Sequence, residues 1–194
     1  MRGRLIILTA PSGAGKSTIA RALRERFPEL VFSVSATTRP PRPGEQNGRD
    51  YVFLSEEEFR RWIEEGKLIE YEEVYPGRFY GTPREPLERA LQAGQTVLLD
   101  VDVQGARHLK SLYGDRALAI FIAPPDLQEL ARRLRARGTE TEESLRTRLE
   151  RARMEMAASG AFDLTIVNAD LCQAIEETAR AVAAFMQKPI FEQQ

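Results

Sequence analysis

The segment Ala10-Pro11-Ser12-Gly13-Ala14-Gly15-Lys16-Ser17-Thr18 has the residue types and order of a loop that cradles phosphate. Gly13 and Gly15 permit a tight turn whose N–H groups converge on anionic oxygens, and the helical pattern from Ile19 to Arg26 brings the positive end of a helix to the same point. Lys16 can then reach the β and γ oxygens of a nucleoside triphosphate. Ser17 presents a hydroxyl to the accompanying Mg²⁺, and Thr18 is a helix residue beside them. A glycine-rich turn with an incidental lysine is the bland account; the apolar run before the loop and the helix after it argue against that. Ala10 stands where the strict pattern has glycine. This loop identifies a phosphate donor and leaves the acceptor open, because GTPases, motors and small-molecule kinases all use it.

Other residues carry chemistry less distinctly. Val97-Leu98-Leu99-Asp100-Val101-Asp102 is an apolar strand running into two carboxylates, which a period of two places on one face at the ligand-binding edge of an open sheet. Arg39 and Arg42, three apart in a proline-rich loop, offer two guanidinium forks to an anion. Glu70, inside Glu70-Tyr71-Glu72-Glu73, reads by itself as a solvated glutamate. Arg133 and Arg137 share a helix face, with Arg148 on the following helix, but spacing alone does not separate them from Arg132, Arg135, Arg146, Arg151 and Arg153. Asn168 ends an apolar run and is otherwise an ordinary loop residue. His108, on an amphipathic helix, and Cys172, expected to be a small core residue, have no assigned role.

The elements that must position these groups follow from apolar periodicity. Short runs at Leu5–Leu8, Val97–Leu99, Leu118–Ile122 and Leu164–Val167, separated mainly by helical spacing, predict an α/β fold with a parallel sheet. Ser55 with Glu58, and Thr82-Pro83-Arg84-Glu85, read as helix starts, the second combining a capping box with proline at the first helical position. Two stretches break the alternation. Residues 35–82, with an Asn47-Gly48 turn, predict a small β-rich insertion. Residues 126–160 predict two charged helices around Arg137-Gly138-Thr139 that move as a lid. The core is then 1–34, 83–125 and 161–194 of a single domain, closing with a helix over Leu171–Gln187.

Composition sets the outer limits. The chain has 194 residues, a net charge of −1, one cysteine and one histidine. That excludes an intramolecular disulfide and a Cys- or His-based metal cluster, and offers no basic field for nucleic acid or anionic membranes. The apolar run after Met1-Arg2-Gly3-Arg4 is too short for a signal peptide, so the cytoplasm is the expected location.

On the acceptor side the chain resembles the guanylate kinase family, of bacterial type. Ser35-Ala36-Thr37-Thr38-Arg39-Pro40-Pro41-Arg42-Pro43-Gly44-Glu45 and Asn47-Gly48-Arg49-Asp50-Tyr51 carry the resemblance first. It continues through Ile69-Glu70-Tyr71, Tyr80-Gly81-Thr82, Asp100-Val101-Asp102-Val103-Gln104-Gly105, Phe121-Ile122-Ala123-Pro124-Pro125, Arg137 to Ser144, and Ile166-Val167-Asn168. The resemblance implies a P-loop three-layer α/β fold with a GMP-binding insertion and a helical lid. It also implies transfer of the γ-phosphoryl of ATP to GMP or dGMP with Mg²⁺, in purine nucleotide metabolism.

Carried over residue by residue, it has Arg39, Arg42, Tyr51 and Tyr80 hold the GMP phosphate. Glu70, Ser35 and Thr82 read guanine, whose N1–H and N2 amine suit a carboxylate and whose O6 suits a hydroxyl. Asp100 contacts the acceptor nucleoside, and Asp100 and Asp102 help orient Mg²⁺ through water, their roles undivided. Lys16, Arg39, Arg133, Arg137 and Arg148 stabilise the transferring group, and Asn168 lies on the adenine side. No general base is required, because the GMP phosphate attacks as an oxyanion. The partners are ATP and GMP, with no nucleic acid or membrane, and the oligomeric state stays open. The competing readings are a P-loop kinase for AMP, a pyrimidine nucleotide or a sugar phosphate, a noncatalytic scaffold module, and a regulatory GTPase. Glu70 with Ser35, the retained lysine and arginines, and the lack of an Asn-Lys-x-Asp motif weigh against them in turn.

Overall fold

The computed structural model describes residues 3–136 and 141–188. Its strands are β1 (Arg4–Thr9), β2 (Val31–Phe32), β3 (Ala36–Thr37), β4 (Val52–Phe53), β5 (Leu68–Tyr75), β6 (Arg78–Pro83), β7 (Thr96–Asp100), β8 (Ala117–Ala123) and β9 (Leu164–Val167). Its helices are α1 (Lys16–Arg26), α2 (Glu56–Glu64), α3 (Arg84–Gln92), α4 (Val103–Tyr113), α5 (Leu127–Ala136), α6 (Glu142–Ala157) and α7 (Leu171–Gln187).

The main sheet has the order β2-β7-β1-β8-β9, and every pairing in it is parallel. A parallel sheet is covered on both faces, which is why its strands read as continuous apolar runs. β1 shows the consequence in its alternation. Leu5 and Ile7 pack with Leu87, Leu91, Ala106 and Leu109 of α3 and α4, while Ile6 and Leu8 pack with Ile19, Leu23, Val182 and Phe185 of α1 and α7. Three layers result, as expected. The edge strand β2 escapes the periodicity because it is only two residues long. Arg4, though charged, is buried: its guanidinium donates to the carbonyl of Phe185 (2.6 Å) and to those of Met186 and Lys188, satisfying the last turn of α7.

A second sheet, β4-β3-β6-β5, is built from the first predicted insertion. It packs under α2 through a separate core of Ala36, Phe59, Leu68 and Phe79, with the two phenyl rings 5.5 Å apart. α2 starts with the expected capping box: Ser55 Oγ accepts from Glu58 N–H while the Glu58 carboxylate accepts from Ser55 N–H. The start of α3 differs from expectation. Thr82 and Pro83 belong to β6, the helix begins at Arg84, and no side chain caps it. The Thr82 hydroxyl donates instead to Glu70 (2.5 Å), the residue paired with it across the antiparallel ladder.

The second predicted insertion forms α5 and α6, which share a small apolar seam of Leu130, Leu134, Leu145 and Ala152. Arg137, Gly138, Thr139 and Glu140 lie outside the described residues. Cys172 does not enter the core: it is exposed at the start of α7, whose buried stripe begins at Ala174 and continues through Thr178, Ala179, Val182 and Phe185. His108 is exposed on α4. Among the described residues no helix is long and apolar enough to cross a membrane.

Because Phe59 anchors a core separate from the main sheet, Phe59→Ala should loosen the second sheet alone, at a cost of about 3–5 kcal/mol. Amide exchange should accelerate across β3 to β6 while β1, β7 and β8 keep wild-type protection.

Candidate active site

One cleft runs from the phosphate loop to the second sheet, lined at one end by Ser12, Gly13, Gly15, Lys16 and Ser17 and at the other by Ser35, Arg39, Arg42, Tyr51, Glu70 and Tyr80. The loop follows β1, the central strand. Gly13 and Gly15 have φ of 96° and 98°, a left-handed conformation that side chains resist. Both also lie too close to neighbours to bear one: a methyl on Gly13 would stand 2.9 Å from Leu134 Cδ2, and one on Gly15 would collide with the Asn168 amide. That amide is buried and donates to the Ala14 carbonyl (2.8 Å), and the Asn168 N–H donates to the Ala123 carbonyl (2.8 Å). Asn168 thus ties the loop to β8 and β9 from beneath. No side chain caps the first turn of α1: the Thr18 and Ile19 N–H groups donate to the Gly15 carbonyl (3.1 and 3.2 Å), and Lys16 and Ser17 line the cleft.

Parallel register sets Asp100 beside Leu8, next to the loop. Lys16 pairs with the Asp100 carboxylate and donates to the Val101 carbonyl (2.8 Å). Burial pulls the Lys16 ammonium down most strongly, but the Asp100 carboxylate, by charge and hydrogen bond, outweighs it and holds the group above its ordinary value. Ser17 Oγ donates to the other Asp100 oxygen (3.3 Å). Asp102 is engaged differently, since its carboxylate accepts from the N–H groups of Gln104 (2.8 Å) and Gly105 (3.0 Å) and so caps α4. The two carboxylates therefore divide, Asp100 facing lysine and serine, Asp102 facing a helix terminus.

At the acceptor end, Arg39 is buried and forked onto Glu45, with both N–O distances 2.6 Å, and stacks over the Tyr51 ring at 4.7 Å. Glu45 also accepts from the Arg42 N–H (2.7 Å) and is held below the ordinary carboxylate range by the Arg39 fork. Sequence reasoning gave Glu45 no role, and its motif neighbours were the only signal. The Tyr51 and Tyr80 rings meet edge to face, centroids 6.1 Å apart. Glu70, read in isolation as solvated, is 7% exposed. Burial pushes its carboxyl up to about 7, with the nearby Asp102 charge adding and the Thr82 hydroxyl opposing.

The helices α5 and α6 behave differently. Arg148 reaches the loop and donates to Ser12 Oγ (3.0 Å). Arg133 forms an ion pair with Glu129 (2.8 Å) and donates to the Asn168 carbonyl (2.8 Å), outside the cleft lining. Arg137 lies outside the described residues. Sequence reasoning missed Arg151 and Glu155, which line the cleft with Arg148. Arg151 pairs with Glu155 (2.7 Å), donates to the Val74 carbonyl of β5 and lies over the Tyr75 ring at 5.6 Å, while Arg148 lies over the same ring at 5.4 Å. Positions 148, 151 and 155 share a helix face, but Arg146 and Arg153 on the same helix have comparable spacing, so the sequence alone did not single them out.

The donor set suits a hard divalent cation carried by a triphosphate, since Ser17 and Asp100 offer hydroxyl and carboxylate oxygens beside the loop. Among the described residues no group of three or more His, Cys, Asp or Glu side chains could hold a metal unaided. Such an ion would take its remaining ligands from phosphate and water.

Comparison with known proteins identifies the chain's relatives. The family model for guanylate kinase matches residues 2–187. The chain is 53% identical over 182 residues to the guanylate kinase of Salinibacter ruber, covering 94% of this chain and 96% of that one. It is 50% identical over 188 residues to that of Chlorobaculum tepidum, covering 97% and 96%. The crystal structure of guanylate kinase from Anaplasma phagocytophilum superimposes with a TM-score of 0.79 at 36% identity, over 96% of this chain and 87% of that chain.

The buried Glu70 carboxyl has a measurable consequence. Its folded value of about 7 lies above the ordinary 4.5, so folding favours the proton. Stability is unaffected below pH 4.5, falls as pH rises through the window to 7, and is lower by up to about 3 kcal/mol beyond it. Glu70→Gln, which keeps an acceptor for Thr82 and cannot ionise, should match wild type in urea unfolding at pH 4.5 and exceed it at pH 8.

Proposed function

This chain belongs to the guanylate kinase family, whose reaction is the phosphorylation of GMP by ATP, and we propose that the cleft between its phosphate loop and its second sheet carries out that transfer. The observation that carries the proposal is that one cleft is lined by the Lys16 loop, by the buried Glu70 carboxylate and by Arg39, Arg42, Tyr51 and Tyr80. A phosphate donor and a base bearing N–H donors fit its two ends.

The loop N–H groups and the end of α1 receive the triphosphate, and Lys16 exchanges the Asp100 carboxylate for phosphate oxygens while staying protonated. Ser17, with Asp100 directly or through water, would hold Mg²⁺, which supplies charge neutralisation across the β and γ phosphates. Arg39, prealigned by Glu45, binds the GMP phosphate with Arg42, Tyr51 and Tyr80, and its fixed fork limits the entropy lost on binding. Glu70 accepts from guanine N1–H and the N2 amine, Ser35 donates to O6, and Thr82 orients the carboxylate. Adenine, with no proton on N1 and no N2 amine, would leave Glu70 buried and unsatisfied.

The attacking oxygen belongs to an ionised phosphate, so the protein need only align it and stabilise charge on the transferring group. Arg148, which donates to Ser12 Oγ in the loop, would do so. Arg133 and Arg137 join it in the proposal through their match to the family, and Asn168 supports the adenine end through the loop it holds. Residues 35–82 serve as the GMP-binding insertion and 126–160 as the lid over a core of 1–34, 83–125 and 161–194. Closure of both excludes water that would otherwise accept the phosphoryl group. We place the enzyme in the cytoplasm, in purine nucleotide metabolism and GMP recycling.

Coupled ADP release with ATP and Mg²⁺ should show turnover on GMP and dGMP and none on AMP, CMP or UMP. Glu70→Gln should lower kcat/KM for GMP on the order of 10²-fold. Comparable turnover on AMP, or none on GMP with ATP binding intact, would refute the assignment.

A further inference from the structure

Gly105 stands in the first turn of α4, where the helix itself gives no reason for glycine. Its φ lies outside the left-handed region, its N–H bond to Asp102 (3.0 Å) could come from any residue but proline, and alanine is the better helix former. The reason is spatial. The Glu70 carboxylate, projecting from β5, rests against the Gly105 α-carbon: a methyl there would stand 3.0 Å from Glu70 Cδ and closer still to Oε2. On the opposite side Thr82 Oγ1 donates to Glu70 Oε1 (2.5 Å). The carboxylate is held between a hydroxyl and a bare turn of helix.

We propose that Gly105 is a specificity-determining positioning residue: the side chain it lacks sets where the Glu70 carboxylate stands, and thereby the preference for a purine carrying a 2-amino group. This rests on the reading of Glu70 as the group that recognises guanine. The atoms a methyl would strike are the end of a flexible side chain rather than backbone, so the fold can accommodate it by turning the carboxylate away from α4. That movement disturbs two hydrogen bonds to GMP, whose strength falls steeply with angle. IMP presents only N1–H to the same carboxylate and loses less.

The test is calorimetric binding of GMP and IMP to wild type, Gly105→Ala, Glu70→Ala and the double variant, with KM for ATP measured on Gly105→Ala. Gly105→Ala should weaken GMP binding roughly 10- to 100-fold, weaken IMP less, and leave KM for ATP unchanged. In the Glu70→Ala background the same substitution should cost nothing further, because the group it displaces is gone. A wild-type GMP-to-IMP ratio in Gly105→Ala, or an equal loss in the Glu70→Ala background, would overturn the proposal, the latter pointing to distortion of α4. If Glu70→Ala itself keeps the wild-type ratio, the base-reading role of Glu70 fails, and the role of Gly105 with it.

Discussion

Parallel pairing about β1 is the constraint on which the rest depends. Strands that run the same way end at the same edge, so the register Leu8 to Asp100 and the pairing of β8 with β9 deliver the phosphate loop, Asp100 and Asn168 to one place. Asn168 then holds the loop by its amide, and Lys16 finds Asp100 within reach. None of these contacts is local in the chain. They exist because the central strand is buried on both faces and can pair only in the register that matches its neighbours' apolar residues.

Charge in the cleft is balanced internally in a way that anticipates substrate. Lys16 has Asp100, Arg39 has Glu45, and Arg151 has Glu155. Among the described residues no cation pairs with Glu70, which has only Thr82 and is pushed up to about 7. An anion arriving at Lys16 replaces a carboxylate, at little net desolvation cost. In the proposed reading, a base arriving at Glu70 would supply the donors that the fold withholds from this buried carboxyl.

The helix α6 and the second sheet meet directly as well as through the cleft. Arg148 and Arg151 lie over the Tyr75 ring, and Arg151 reaches the Val74 carbonyl, so one face of α6 touches β5 while Arg148 touches the phosphate loop at Ser12. α6 buries Leu145 and Ala152 in its seam with α5, and these polar contacts add ties to β5 and to the phosphate loop.

The phosphate loop, the central strands, the Ser55 cap and α7 were legible in the sequence because each rests on local rules: glycine conformation, apolar period, and a hydroxyl three residues from a carboxylate. Where the fold departed from those rules, a side chain had a remote alternative. The Thr82 hydroxyl could have capped a helix, but it donates a hydrogen bond to Glu70, twelve positions earlier and opposite on the ladder. Cys172 had the composition of a core residue and the helical phase of an exposed one. Glu45, Arg151, Glu155 and Gly105 look ordinary in sequence, since their importance lies in what packs against them. Residue types and their spacing were enough for the glycine-rich loop and the layers that carry it. How each acceptor-side group is held came from the folded arrangement, because burial and pairing between distant segments, not residue type, set a carboxylate's charge and position.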